Sequence, residues 1–324
     1  MKELIFYKAA LESAMENHQW PHDPQQLYSP IAYILGIGGK RLRPVLTLMT
    51  CDCFGGAHQD AMPAALAVEL FHNFSLIHDD IMDQAPLRRG QMTVHHKWDL
   101  NTGILSGDAL LILAYQHFEA YAPHVFMDLA RLFSKTALEV CEGQQYDMDF
   151  ETRAEVALDQ YLKMIEYKTA VLVGAAMKIG AIVAGASDQA QQRIYDFGLS
   201  LGMAFQLQDD YLDAFGDPKH FGKQAGGDIL SGKKTYLYLA AFSAASADQR
   251  TELLDLFQNK TLANDTKISR VLDLFEATGA PIQAQRAIKH YTHEAFQQLD
   301  AIEMAPTYKE QLRVFGTALM DRTV

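Results

Sequence analysis

The chain has 324 residues, 49% of them hydrophobic and 21% charged, which suits an ordinary globular protein with a sizeable buried core. A formal net charge of −12 excludes a broad nucleic-acid footprint and general attraction to anionic membranes, so cations that matter must form local clusters. Cys51, Cys53 and Cys141 lack zinc spacing and read as reduced, partly buried thiols.

Helical periodicity runs through the sequence without a convincing set of alternating strand segments, so the fold class is all-α. No Pro-, Gly- or Ser-rich linker divides the chain and no short repeat recurs, so residues 1–324 read as a single domain. The first stretch, Met1 to Gln19, reads as an amphipathic helix rather than a signal peptide. The most apolar window, Ala170 to Ala186, is short and interrupted by Lys178, and therefore reads as a core helix rather than a membrane span. A cytoplasmic protein with no transmembrane segment and no nucleic-acid partner is the expectation.

After a break at Trp20–Pro24, a short helix is expected from about Gln25 to Leu35. The loop Gly36-Ile37-Gly38-Gly39-Lys40-Arg41-Leu42-Arg43-Pro44 follows. Its glycines let backbone approach an anion, and Lys40 with Arg43 could grip phosphate oxygens; a basic turn before a helix reads equally well. Helices follow from Pro44 to about Phe54 and from Ala61 to Asp83, the latter closing on Asp79-Asp80-Ile81-Met82-Asp83. In a helix Asp79 and Asp83 lie one turn apart on one face, with Asp80 about 100° round. Carboxylates so placed repel one another and need cations, and hard oxygen ligands with room for water suit magnesium better than zinc. His72, two turns before Asp79, shares that face, although as a lone residue it also fits a core histidine.

Arg88 and Arg89, just beyond, could be counter-ions for the carboxylates or could bind phosphate beside their metals. Helices are expected from Thr93 to Tyr121, with Asp108 structural or functional, and from Val125 to about Asp149, ending in a polar stretch with Gln144 and Asp147. Leu158 to Gly185 carries Lys168-Thr169 inside an apolar run, where a lysine points into a polar cavity more readily than it is buried alone. Gln189 to Phe215 brings a second set, Asp209, Asp210 and Asp213, with Gln206 on the face of Asp209. The loop from Phe221 to Thr235, with Lys223, Lys233 and Lys234, could form a lid over an anionic substrate. Four or five helices follow Tyr236, with a polar break near Asn259 to Thr266.

Two DDxxD sets, a GGKRLRP loop, paired arginines after the first set and a glycine- and lysine-rich loop after the second together resemble the trans-isoprenyl diphosphate (polyprenyl) synthases of the farnesyl and geranylgeranyl type. The resemblance runs from about Gly38 to Thr235 with the motifs in order. It implies an antiparallel helical bundle around a deep central cavity, a homodimer, several Mg2+ ions, and condensation of isopentenyl diphosphate with an allylic diphosphate. By that likeness Asp79, Asp83 and Asp209 bind the metals directly and Asp80, Asp210 and Asp213 support them. Arg88, Lys168, Gln206, Lys223 and Lys233 would hold the allylic diphosphate. Lys40, Arg43, His72 and Arg89 would hold isopentenyl diphosphate, with Gly39 allowing close backbone approach. Thr169 and Gln144 would line the reacting centre.

Product length depends on cavity depth. Ser75 lies one turn below Asp79 and is small, while Phe71 lies about 12 Å down the axis. Phe71 or Phe74 could be the floor, Phe74 the poorer by angle, or both could simply pack on a neighbouring helix. An aromatic five positions before DDxxD with a small residue at four resembles the short geranylgeranyl type, which favours twenty carbons over fifteen and disfavours long chains. A terpene cyclase would leave Lys40, Arg43 and His72 without a role, and an idle regulatory subunit would be expected to have lost aspartates or arginines.

Overall fold

A computed structural model describes residues 3–216, 226–259 and 261–320. The chain divides into two compact units: Met1–Lys135 with Ala175–Ile194 and Glu303–Ala305, and Thr136–Gly174 with Tyr195–Ile302 and Pro306–Val324.

The first unit begins with helices α1 (Leu4–Asn17), α2 (Gln25–Gly36), α3 (Leu42–Cys53) and α4 (Met62–Met82). Tyr7 of α1 is buried and its hydroxyl donates to Asp52 Oδ2 at 3.0 Å; Asp52 Oδ1 also accepts from the His58 N–H at 2.7 Å. That carboxylate therefore ties the first helix to the end of α3. Pro63 opens α4, where its missing N–H costs nothing, and the buried face of α4 runs through Ala64, Ala67, Leu70, Phe71, Phe74 and Ile77. Apolar side chains at this spacing supply most of the helix's stability.

Helix α6 (Leu100–His117) packs along α4. At Gly107 a Cβ would lie 2.6 Å from His78 Cδ2, and at Gly103 one would lie 2.9 Å from Ile81 Cδ1. The two helices thus touch through residues without side chains, close to the carboxylates at the end of α4. The single helix expected from Thr93 to Tyr121 is divided. Val94–Lys97 forms α5, Trp98 leaves helical geometry, and Asp99 restarts the chain as an N-cap, accepting from Thr102 N at 2.8 Å. Apolar periodicity is blind to such a cap.

The segment holding the paired arginines is also more ordered than the sequence suggests. Leu87–Arg88 and Gln91–Met92 form a two-residue antiparallel ladder, closed by Arg89 (φ 52°) and Gly90 (φ 76°). Two successive left-handed residues are what a tight type I′ hairpin requires.

In the second unit, the end of α7 (Pro123–Thr152), α8 (Leu158–Ile165) and most of α10 (Asp188–Phe215) carry the polar residues of interest. The helix expected from Leu158 to Gly185 is interrupted by a π-turn at Glu166–Ala170 before α9 (Val171–Val183). The segment Gly227–Ser231, read from sequence as loop, forms a short helix, α11. Five helices complete the described chain, Tyr236–Ala244, Ala247–Gln258, Asn264–Thr278, Ala280–Asp300 and Pro306–Met320, in line with the expected number. Their core joins Leu237, Ala240, Ala241, Val271, Phe275 and Ala284. The polar break falls at Asn259, whose side-chain oxygen accepts from the N–H groups of Thr261 and Leu262.

Among the described residues no helix is long and apolar enough to cross a membrane. The three cysteines are free, and burial pushes the Cys51 and Cys53 thiols up to about 12.

Beneath the first carboxylate set lies an aromatic layer. The Phe133 ring meets Phe71 at 5.1 Å, Phe118 at 5.0 Å and Tyr115 at 4.9 Å, each edge to face. Phe133→Ala should therefore destabilise the protein by about 3–5 kcal/mol, read as a fall in the urea unfolding midpoint. A loss below about 1 kcal/mol would show that the layer does not support α4.

Candidate active site

Asp79 and Asp80 lie in the last turn of α4, and Asp83 is the residue that closes it, with its N–H on Asp79 O at 2.8 Å. The C-terminal end of a helix carries partial negative charge, so three carboxylates there are opposed by the backbone as well as by one another. Arg88 answers part of that charge. Its Nε reaches Asp80 Oδ1 at 2.8 Å and Oδ2 at 2.9 Å, and its Nη2 reaches Asp79 Oδ2 at 3.2 Å. Asp80 is 1% exposed, and its burial raises the carboxyl despite the arginine. Asp83 is exposed and Asp79 half-buried. The three aspartates of one motif thus differ: Asp80 is a buried partner of Arg88, Asp79 is half-buried and shares that arginine, and Asp83, one turn on, is exposed.

Behind this set sits a cationic group. Arg43 Nη1 lies 3.4 Å from His72 Nε2. Burial first, then Arg43, Arg89, Arg88 and Arg41, hold His72 well below the ordinary imidazole range, so it is neutral at physiological pH. Arg89 donates from Nη1 to Gly38 O, and its guanidinium lies against Gly39, where a Cβ would sit 2.6 Å from Nη1. The space that Gly39 leaves open is filled by Arg89. Lys40 is exposed.

In the second unit, a cavity of about 230 Å³ is lined by Lys168, Thr169, Gln206, Asp209, Asp210 and Lys233, among others. Lys168 Nζ reaches Asp147 Oδ2 at 2.5 Å. Thr169 Oγ1 donates to Gln206 Oε1 at 3.2 Å, and Gln206 Nε2 donates to Asp210 Oδ1 at 3.1 Å. Asp210 also accepts from the buried Tyr161 hydroxyl. Desolvation is the main reason its carboxyl is pushed up to about 7; Asp228 and Asp209 add to the rise, while Tyr161 and Gln206 oppose it. Asp213, one turn beyond Asp209 on α10, accepts at Oδ2 from the N–H of Asp228 at 2.9 Å, at the start of α11, and Asp228 itself lines the cavity. Of the paired lysines, Lys234 donates to Phe150 O at 2.7 Å. Lys223 lies outside the described residues.

The π-turn explains how an apolar helix presents Lys168 and Thr169. One extra residue per turn rotates the pair relative to the regular helix, and π-turns recur at functional positions. Two glycines hold it: a Cβ on Gly143 would lie 2.7 Å from Lys168 Cα, and one on Gly202 would lie 2.7 Å from Ala170 Cα. The neighbouring Gln144 has a buried Nε2 without a hydrogen-bond partner among the described residues.

The donors available to a cation are hard carboxylate oxygens, which fit magnesium. Among the described residues no three His, Cys, Asp or Glu groups converge to hold an ion by themselves. A bound Mg2+ would therefore need water or substrate oxygens to complete its shell, as that ion commonly does.

Phe71 is 1% exposed within the aromatic layer. Phe74 turns toward His78, with rings 4.8 Å apart, and Ser75 Oγ donates to His72 O at 2.8 Å. Residues that sequence reading passed over include Tyr161, which no motif marks, and Arg41 with Glu69. The signal for Glu69 was present: it is the sole acidic residue in the apolar run from Met62 to Ile77.

The polyprenyl synthetase family model matches residues 24–275. A crystal structure of a geranylgeranyl pyrophosphate synthase superposes with a TM-score of 0.95 at 50% identity, covering 99% of each chain. The geranylgeranyl diphosphate synthase of Methanosarcina mazei is 38% identical over 285 residues, 87% of this chain and 86% of its own. The geranylfarnesyl diphosphate synthase of Natronomonas pharaonis is 39% identical over 236 residues, 67% and 69% of the two chains. The chain belongs to the polyprenyl synthetase family and has its all-α isoprenoid-synthase fold. It is a prenyltransferase of the short-chain kind.

Gly143→Ala should displace the turn that carries Lys168 and lower turnover by roughly a hundredfold while leaving the circular dichroism of the helices unchanged. Normal turnover in that variant would show that the close approach at Gly143 has no bearing on the chemistry.

Proposed function

We propose that this chain condenses isopentenyl diphosphate with dimethylallyl, geranyl and farnesyl diphosphates to give all-trans geranylgeranyl diphosphate, in a magnesium-dependent reaction on a single domain. The observation that carries the reading is that each DDxxD set closes an apolar helix among fixed cations, Arg88 at the first and Lys168 and Lys233 at the second. The twenty-carbon product is favoured over fifteen by the geranylgeranyl synthases among the relatives.

In this reading Asp79, Asp83 and Asp209 hold magnesium directly, with Asp80, Asp210 and Asp213 supporting them. Bound magnesium supplies positive charge that stabilises the diphosphate as it leaves the allylic carbon. Arg88, Lys168, Gln206, Lys223 and Lys233 orient the allylic diphosphate and take up the negative charge that grows on it. Lys40, Arg43, His72 and Arg89 hold isopentenyl diphosphate so that its alkene faces the allylic carbon, with Gly39 beside them. A neutral His72 can donate one hydrogen bond to a phosphate oxygen without a proton changing hands. Thr169 and Gln144 line the reacting centre. Apolar walls keep water from the allylic cation, and a proton then leaves the coupled product to the released diphosphate.

Phe71 is the floor for the growing chain. Its ring is backed by Phe133, whereas Phe74 is turned toward His78. Phe71→Ala should shift products beyond twenty carbons, sized by chromatography after dephosphorylation; unchanged products from Phe71→Ala, Phe74→Ala and the double variant would remove both residues from that role.

The active species is a homodimer in this reading. The outer side of α6 exposes Leu105 at 59%, Ile112 at 58%, Leu100 at 52% and Ile104 at 40%, an apolar face that a second copy would cover. Light scattering should show a dimer, and Leu105→Glu with Ile112→Glu should yield monomers; a dimer that survives both would place the interface elsewhere.

The decisive experiment incubates the protein with magnesium, labelled isopentenyl diphosphate and each allylic starter in turn. Products of twenty carbons are expected. No elongation from any starter, or release of a cyclic hydrocarbon, would overturn the reading. Asp79→Ala should abolish most turnover with the helices intact, and near-normal turnover would remove Asp79 from metal binding.

A further inference from the structure

We propose that Glu69 and Arg41 form a positioning pair that sets the glycine-rich loop so that Lys40 and Arg43 can take isopentenyl diphosphate; this rests on the functional reading above. Arg41 is 8% exposed, Glu69 3% and Asn73 1%. Arg41 Nη1 donates to Glu69 Oε1 and its Nη2 donates to Leu35 O. Asn73 Nδ2 donates to the same Glu69 oxygen at 2.8 Å and to Glu69 O at 2.8 Å. Asn73 thereby orients the carboxylate from one turn further along α4.

A buried ion pair is a poor source of stability, because taking two charges out of water offsets most of their attraction. Its value lies in geometry, and the geometry here is specific. Arg41 sits at the N-terminal end of α3 with φ 51°, after Gly38 at φ 84° and Gly39 at φ 146°. A left-handed arginine persists only where its surroundings hold it, and here its own side chain provides the hold. With Arg41 turned inward, Lys40 stays exposed, while Arg43, two residues on, stands beside His72. Glu69 lies three residues before His72 on α4, so the pair clamps the loop to the same helical turn that carries His72.

The charges support this division of labour. Glu69 raises both Arg43 and Arg89 electrostatically, yet its hydrogen-bonded oxygen is committed to Arg41 and Asn73. The surplus positive charge therefore remains on Lys40, Arg43 and Arg89. A diphosphate has the charge and the number of acceptor oxygens to meet it.

The test uses the full-length protein, with isopentenyl diphosphate binding measured by calorimetry in magnesium-free buffer and steady-state kinetics run alongside. Arg41→Met with Glu69→Leu removes both charges at similar volume, a replacement that buried ion pairs generally tolerate. In that variant the Kd and KM for isopentenyl diphosphate should rise roughly ten- to hundredfold. The kcat and the KM for the allylic substrate should stay within about twofold. Arg41→Lys keeps the charge but loses the donor to Leu35, and should give an intermediate affinity. Wild-type affinity in either folded variant, or a uniform loss that spares neither substrate, would overturn the proposal. A wild-type protein that binds isopentenyl diphosphate but elongates nothing would sink the functional reading while the binding comparison still decides this one; failure to bind at all would overturn the pairing too.

Discussion

Carboxylates crowded at the negative end of a helix are the constraint around which the first unit is arranged. Asp79, Asp80 and Asp83 stand where the α4 dipole and their mutual repulsion both oppose them. Folding answers with one bidentate arginine, Arg88, delivered by a tight hairpin, and leaves Asp79 half-buried and Asp83 exposed. Carboxylate oxygens so placed are hard ligands, of the kind that suit magnesium. The second unit repeats the logic differently: Asp210 is buried against Tyr161 and Gln206, and Asp209 faces the cavity shared with Lys168.

Backbone strain is concentrated in the same places. The non-glycine residues with positive φ among those described are Arg41, Gln84 and Arg89. All three lie in the loops that enter or leave the helices bearing the cationic and carboxylate groups. Left-handed backbone at such residues persists where surrounding contacts over-determine it, and arginines whose side chains are fixed at both ends meet that condition. Rigid loops hold diphosphate groups with less ordering penalty on binding than mobile ones.

The apolar layer below the aspartates is built more simply. Ser75 is small and lies one turn below Asp79, and Phe71 stands a further turn down against Phe133, whose ring also meets Phe118 and Tyr115. The Phe133 ring, packed edge to face on three sides, does not swing aside, so the neighbour against which Phe71 rests is itself fixed. Gly103 and Gly107 bring α6 against α4 at the level of Ile81 and His78, which stiffens the helix end that carries the aspartates.

The sequence by itself determined the helical class, the location of both aspartate sets, the basic loop, the paired arginines and the family. Each of these is encoded locally, in apolar periodicity or in the spacing of charged side chains along one helix or loop. Only the tertiary structure decided which aspartate of a set is a buried partner and which stays accessible, because that depends on where Arg88 and Tyr161 arrive from distant segments. It decided too that Lys168 and Thr169 ride on a π-turn held by Gly143 and Gly202, that Asp99 restarts a helix, and that Arg88 and Arg89 flank a hairpin turn. Glu69 shows the boundary most plainly. A lone acid in an apolar run announces a buried partner, but which of the three cations in the glycine-rich loop it takes is settled by the left-handed turn at Arg41, and spacing along the chain carries no trace of that choice.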